Sequence, residues 1–173
     1  MILETDRLQL RMLTDDDAEF ILRLLNEPSF IQNIGDRGVR TIDDARGYIL
    51  KGPIASYEKF GFGLWMVETK SGAAPIGICG LLKRDVLEDA DIGYALLPEF
   101  WSQGYALESA SAVIKYASDQ LGLKRVVAVT NPDNQSSIRL LEKMGFKYER
   151  MVRLSDGAPE IKLFGADVSE ARP

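Results

Sequence analysis

Leu8, Leu10 and Met12 alternate with polar neighbours through "RLQLRML", residues 7 to 13, which is the period of a half-buried strand. The period then lengthens. Thr14 stands three residues before Asp17, acid fills the first turn, and Phe20, Ile21, Leu24 and Leu25 form one apolar face, so the pattern predicts a capped helix that ends at Pro28. Thr41 and Asp44 repeat the capping signal ahead of Ile42, Ala45, Tyr48 and Ile49, and Gly52-Pro53 breaks or restarts that second helix. Three strand-like runs follow, "FGLWMVETK", "APIGICGLLKR" and "DIGYALLP", with "SGA" between the first two and an acidic bend at Glu88 to Asp91 before the third. Residues 104 to 121 bring Ala106, Ala110, Val113, Ile114, Ala117 and Leu121 onto one face of a long helix closed by Gly122. "RVVAVT" reads as a buried strand and "SIRLLEKMG" as a short helix, while "FKYERMVRL" and "EIKLFGADV" form a strand pair joined through "SDGAP". This mix of meander and crossover predicts one α/β (α+β) domain over 1–173, built on a mixed, partly antiparallel sheet.

Composition narrows the chemistry. The 173 residues are 46% hydrophobic and 27% charged, enough apolar material for a sizeable core, and the apolar runs fall far short of a membrane span. A cytoplasmic location is the default expectation, because Glu4, Asp6 and Arg7 break up any secretory apolar segment. The lone Cys79 has no partner and reads as an inert core thiol. With no histidine in the chain, zinc of the usual Cys/His kind and Ser-His-Asp or Cys-His nucleophiles are excluded, so any general base is a carboxylate, Tyr, Lys or water. A formal charge of −5 disfavours nucleic acid and suits cationic partners.

One stretch stands out. "FWSQGYALESA", residues 100 to 110, carries Gly104 where a loop meets the long helix. A helix start leaves N–H groups unpaired at the positive end of the dipole, a setting that binds phosphate, and Gly104 and Ala106 keep the approach free of side chains. The alternative is an ordinary turn in which glycine supplies an unusual backbone angle. Neither the G-x-x-x-x-G-K-S/T loop nor a dinucleotide-binding triple glycine occurs, since "GFGLWM" leads into a strand. Asn134 and Ser137, after the next strand, would share the sheet edge with Gly104, although such residues also cap helices everywhere.

Together, "DIGYALLPEFWSQGYALESA" and "NPDNQSSIRLLEKMGF" resemble the acetyl-CoA signature of the GNAT superfamily of N-acetyltransferases. The opening "LETDRLQLRML" is similar to the branch holding the ribosomal-protein serine and alanine N-acetyltransferases. The resemblance implies a mostly antiparallel sheet of six to seven strands, splayed at its centre between residues 91–97 and 125–130, with helices on both faces. It implies acetyl-CoA as cosubstrate, no metal, and pantetheine along the backbone of Leu96 and Leu97. The pyrophosphate would rest on the turn from Trp101 to Ala106, through Gln103, Gly104, Tyr105 and Ala106, with Asn134 holding the cofactor from the other side. Trp101 departs from the Arg or Gln of the general pattern, but tryptophan is typical of the branch.

Acetyl transfer to an amine needs a proton acceptor, because an α-amine of pKa near 8 is mostly charged at neutral pH. The resemblance implies direct attack within a ternary complex. Asp91 and Glu160 are the competing bases; each is otherwise a turn or hairpin charge. Leu141 stands where many relatives carry the tyrosine that protonates the departing thiolate, and Ser137, one turn earlier on the same face, is the substitute, with Tyr94 and Tyr105 as further candidates. The expected acceptor is a protein N-terminal amine such as that of a ribosomal protein. The alternatives are a small amine (a polyamine, an aminoglycoside or an amino-acid derivative), and a non-catalytic CoA-binding module. The acids at Asp15 to Asp17 and Asp43 to Asp44 point to a cationic acceptor. No nucleic acid or membrane partner is expected, and a homodimer is compatible with the sequence.

Overall fold

The computed structural model describes residues 1–169. One eight-stranded sheet runs in the order β1-β2-β3-β4-β5-β6-β8-β7, from β1 (Leu3–Glu4), β2 (Leu8–Arg11), β3 (Leu64–Thr69), β4 (Pro75–Leu82), β5 (Asp91–Leu96), β6 (Arg125–Thr130), β7 (Lys147–Val152) and β8 (Ile161–Asp167). The helices are α1 (Ala18–Leu25), α2 (Pro28–Asn33), α3 (Ile42–Ile49), α4 (Ala55–Phe60), α5 (Tyr105–Asp119) and α6 (Gln135–Lys143). No helix among the described residues is long and apolar enough to cross a membrane.

Alternation along β3 decides the layering. Trp65 and Val67 pack with Ala110, Val113 and Ala117 of α5 and with Ile138 and Leu141 of α6. Leu64 and Met66 point the opposite way, onto Ile21, Leu24 and Leu25 of α1 and Ala45 and Ile49 of α3. Helices therefore cover both faces, as the resemblance implies. Cys79 is fully buried in the first of these layers, and burial pushes its thiol up to about 12.

The structure adds elements to the expected set. The eighth strand is β1, whose two residues pair only as Leu3↔Leu10 and Glu4↔Gln9, too short to carry a period. Pro28 does not merely end α1; it opens α2 at the first helical position, where a missing N–H costs nothing. Gly52-Pro53 does not break the second helix, because a π turn over Leu50–Ile54 carries α3 into α4. Met12 is 44% exposed while Leu13 is buried, since β2 ends at Arg11 and the inward alternation stops there.

The feature that positions the site is the junction of β5 and β6. Among the described residues they are the only parallel neighbours, and they pair at a single register point, Asp91↔Val127, with Val127 N–H donating to the Ala90 carbonyl at 3.0 Å. Beyond it the strands part. Every other neighbouring pair is antiparallel.

Candidate active site

A cleft of about 1020 Å³ opens from this splay. One wall is β5. Leu97 N–H bonds Ile76 O at 2.9 Å, so Leu97 and Ile76 form a hydrogen-bonded pair facing β4. Leu96, its strand neighbour, therefore turns its backbone toward the gap, as do Tyr94 and Ile92. Leu96 lines the cleft; Leu97 is buried beneath it with its amide already spent. Of the two leucines expected to meet a pantetheine arm, the backbone geometry favours Leu96. The Leu96 carbonyl accepts from Trp101 Nε1 at 2.9 Å, which explains a tryptophan at the head of the turn: it ties the loop to the strand.

The second wall is the start of α5. Gly104 has φ +82°, the left-handed region, so glycine serves the turn angle as well as the open approach. Thr41 caps α3 and Asn134 caps α6 with their side chains, but among the described residues α5 has no side-chain cap. Among the described residues the N–H groups of Tyr105, Ala106 and Leu107 find no protein acceptor, and all three residues line the cleft. That is a cradle for an oxyanion. Gln103 lies behind it: its side chain donates to Glu99 O at 3.0 Å and it is not on the cleft surface.

The turn is braced from the amino end of the chain, which sequence reasoning missed. Arg7 donates to the Gln103 carbonyl at 2.9 Å, pairs with Glu108 at 2.6 Å and lies 4.5 Å from the centre of the Tyr105 ring. Thr5 Oγ1 and Arg7 N–H also donate to Glu108, at 2.5 and 3.0 Å. Burial raises the Glu108 carboxyl, but these donors outweigh it and hold it below its usual range. The carboxylate at the helix start is thus neutralised locally.

On the third wall Asn134 Oδ1 accepts from Ser137 N–H at 3.2 Å, so it caps α6 while also lining the cleft. Ser137 Oγ and Tyr94 Oη are 2.7 Å apart, which joins two candidates that the sequence treats separately. Burial pushes Tyr94 up to about 12, so its phenol keeps its proton.

Asp91 lines the cleft at the closed end of the splay, only 1% exposed. Arg84 Nε donates to both of its oxygens at 3.2 Å. Burial pushes the Asp91 carboxyl up to about 6 against the pull of Arg84, a value suited to accepting a proton near neutrality. Glu160 sits differently. It precedes β8, is about half exposed, meets Arg153 at 3.7 Å and does not line the cleft, although Ile161 beside it does. Between the two candidate bases, geometry favours Asp91.

The acids expected to draw a cationic acceptor lie elsewhere. Asp17 bonds Arg11 at 2.8 Å and the Thr14 N–H at 2.8 Å; Asp44 closes the Thr41 capping box; Asp15 and Asp43 pair with Arg46. None of them lines the cleft. Its carboxylates among the described residues are Glu27 and Asp91, against Arg37, Lys51, Lys59, Lys83 and Arg84 and, on α6, Arg139 and Lys143. The acids of the first two helices are therefore outside the cleft, whose own lining carries more cations than carboxylates.

Comparison with known proteins identifies the family and the fold. The acetyltransferase (GNAT) domain model matches residues 7–147. The uncharacterized N-acetyltransferase YoaA of Bacillus subtilis (strain 168) is 38% identical over 154 residues, covering 88% of this chain and 86% of its own. The crystal structure of an acetyltransferase from Agrobacterium tumefaciens str. C58 superposes with a TM-score of 0.81 at 25% identity, over 95% of this chain and 92% of that one. RimL, a ribosomal L7/L12 alpha-N-protein acetyltransferase solved with coenzyme A, gives a TM-score of 0.84 over 97% and 98% of the two chains; at 17% identity this is a likeness of fold.

Proposed function

The chain belongs to the GNAT acetyltransferase family, and on that premise we propose that it moves the acetyl group of acetyl-CoA to a primary amine by direct attack within a ternary complex. The observation that carries this reading is the meeting of four things on the lining of one cleft: the uncapped start of α5, the open backbone edge of β5, the Tyr94–Ser137 pair, and Asp91 three positions before Tyr94 on the same strand.

Bound acetyl-CoA supplies the thioester whose acyl carbon the amine attacks. The amides of Tyr105, Ala106 and Leu107 are oriented to hold its phosphates, and the β5 backbone at Leu96 to fix its arm. Asp91 takes the proton that the amine gives up as its nitrogen bonds the acyl carbon. The Ser137 hydroxyl would donate to the sulfur that departs as the amide forms, accepting from Tyr94 in turn. Ser137 thereby fills the part that a tyrosine at the Leu141 position would play. Leu141 is buried and packs in the core.

Two acceptor classes fit this chemistry. An N-terminal amine of a protein, as in the ribosomal-protein branch, is the reading suggested by the sequence resemblance. A small amine is the second, and the excess of cations on the cleft favours it. Thiol release from acetyl-CoA, measured against a panel of N-terminal peptides, polyamines and amino-acid derivatives, tests the activity. Release that never exceeds the hydrolysis background with any amine, while acetyl-CoA still binds, would leave a CoA-binding module instead.

A further inference from the structure

At the closed end of the splay the charges do not balance. Asp91 is the buried carboxylate there, bonded by Arg84 and felt by Lys83, and Arg37 lines the same cleft. Lys83 is occupied, since its ammonium donates to the carbonyls of Leu87 and Glu88 at 2.5 and 2.9 Å. Arg84 spends only Nε on Asp91, and its Nη1 and Nη2 have no protein acceptor among the described residues. Arg37, on the loop between α2 and α3, has no carboxylate partner among the described residues. The Tyr48 phenol of α3 lines the same cleft as both arginines; burial raises it, and the charges of Arg37 and Arg84 pull it back down.

These cations are poorly sited for the cofactor's phosphates. The phosphate cradle lies past the far end of β5, and Asp91 is that strand's first residue, so the separation along the strand from Asp91 to Leu96 alone is about 17 Å. Whatever meets Arg37 and Arg84 enters from the acceptor side. A planar guanidinium with two free donors matches the two oxygens of a carboxylate or phosphate, and a second guanidinium with a neutral phenol completes such a site.

Resting on the N-acetyltransferase reading above, we propose that the acceptor is a small amine carrying its own oxyanion, a carboxylate or phosphate close to the nucleophile, held by Arg37, Arg84 and Tyr48 while its amine faces Asp91. A protein N-terminus has no α-carboxylate to offer, because that carboxyl is an amide.

The test is acetylation of aliphatic amines matched in length and ending in carboxylate, phosphonate, amide or ammonium, read as kcat/KM. The carboxylate or phosphonate should exceed the amide by about tenfold or more, with ammonium lowest, and the better of the two arms identifies the oxyanion. Arg37→Gln should collapse that ratio toward one, and Arg37→Glu should invert it toward ammonium. Amide or ammonium acceptors that match the anionic ones in the wild type would overturn the inference and leave the N-acetyltransferase reading intact. A calorimetric arm uses CoA-loaded protein and the same chains without their amine. Binding of the carboxylate or phosphonate form that Arg37→Gln abolishes supports the anion site even if no amine in the panel reacts; absence of binding overturns it.

Discussion

Tyr94 Oη and Ser137 Oγ lie 2.7 Å apart and join β5 to the first turn of α6 across the mouth of the splay. Tyr94→Phe and Ser137→Ala should each lower kcat about tenfold to a hundredfold with little change in KM for acetyl-CoA, because the lost donor acts on charge that develops only at the departing sulfur. If the two hydroxyls act as one relay, the double variant costs hardly more than the worse single one. Strictly additive losses in single-turnover rates would separate them.

Asp91 should leave its mark on both rate and stability. A base lifted to about 6 predicts a kcat/KM that climbs through pH 6, and an Asp91→Asn enzyme that has lost this inflection yet recovers at alkaline pH as the amine deprotonates itself. For stability the sign runs the other way. The folded carboxyl holds its proton more tightly than the unfolded one at 3.8, so Asp91 is harmless below pH 4 and increasingly costly up to and beyond pH 6, by about 3 kcal/mol in full. Urea unfolding across that range should find the wild type losing ground to Asp91→Asn, then running parallel to it above neutrality.

Ala106→Glu tests the phosphate cradle. A carboxylate in the first turn of a helix suits the dipole, so the fold should survive, but it would occupy the place of the cofactor's anions. Acetyl-CoA at 100 times its dissociation constant should stabilise the wild type by about 2.7 kcal/mol, and the variant by next to nothing. An undiminished thermal shift in the variant would move the phosphates off this turn.

Asp17 is expected to matter for folding and not for acceptor choice. Arg11 bridges it to Glu68, with Nη2 2.8 Å from Asp17 and Nε 2.9 Å from Glu68. Burial raises the Asp17 carboxyl, but Arg11 and Thr14 prevail and hold it below 3.8, so its contribution is present above that pH and fades as the medium is acidified. Asp17→Asn should cost on the order of 3 kcal/mol at pH 7, as expected when one partner of a mostly buried pair is removed. KM for any acceptor should stay put, and its salt dependence should match that of the wild type.

Elements with one long buried face were legible before any coordinates. Val113 and Ala117 in α5, or Val126 and Ala128 in β6, repeat at the spacing of their element, and the core buries them accordingly. β1 and α2 were not, since two residues carry no period and a six-residue helix barely completes one face. At the site, Gly104 and Asn134 announce themselves through backbone demands that few other residues meet. Arg84 and Arg37 do not. Arg84 earns its place by reaching back across a turn to a carboxylate seven positions on, and Arg37 by a loop packed near a helix from a separate part of the chain. Asp17 and Asp44 were read correctly as capping residues, while the ion pairs of Asp15 and Asp43 with Arg46 were not legible, because a partner from another helix leaves no mark on the local spacing.

The clasp of Thr5 and Arg7 on Glu108 gives the opening residues an influence that their distance along the chain would not suggest. Residues 5 to 7 lie outside the cleft, yet they grip the helix whose bare amides form it. A clone trimmed past Arg7 would strip Glu108 of these donors and leave an uncompensated carboxylate in the first turn of the helix whose amides line the cleft. A weak cofactor affinity measured on such a truncation would describe the truncation.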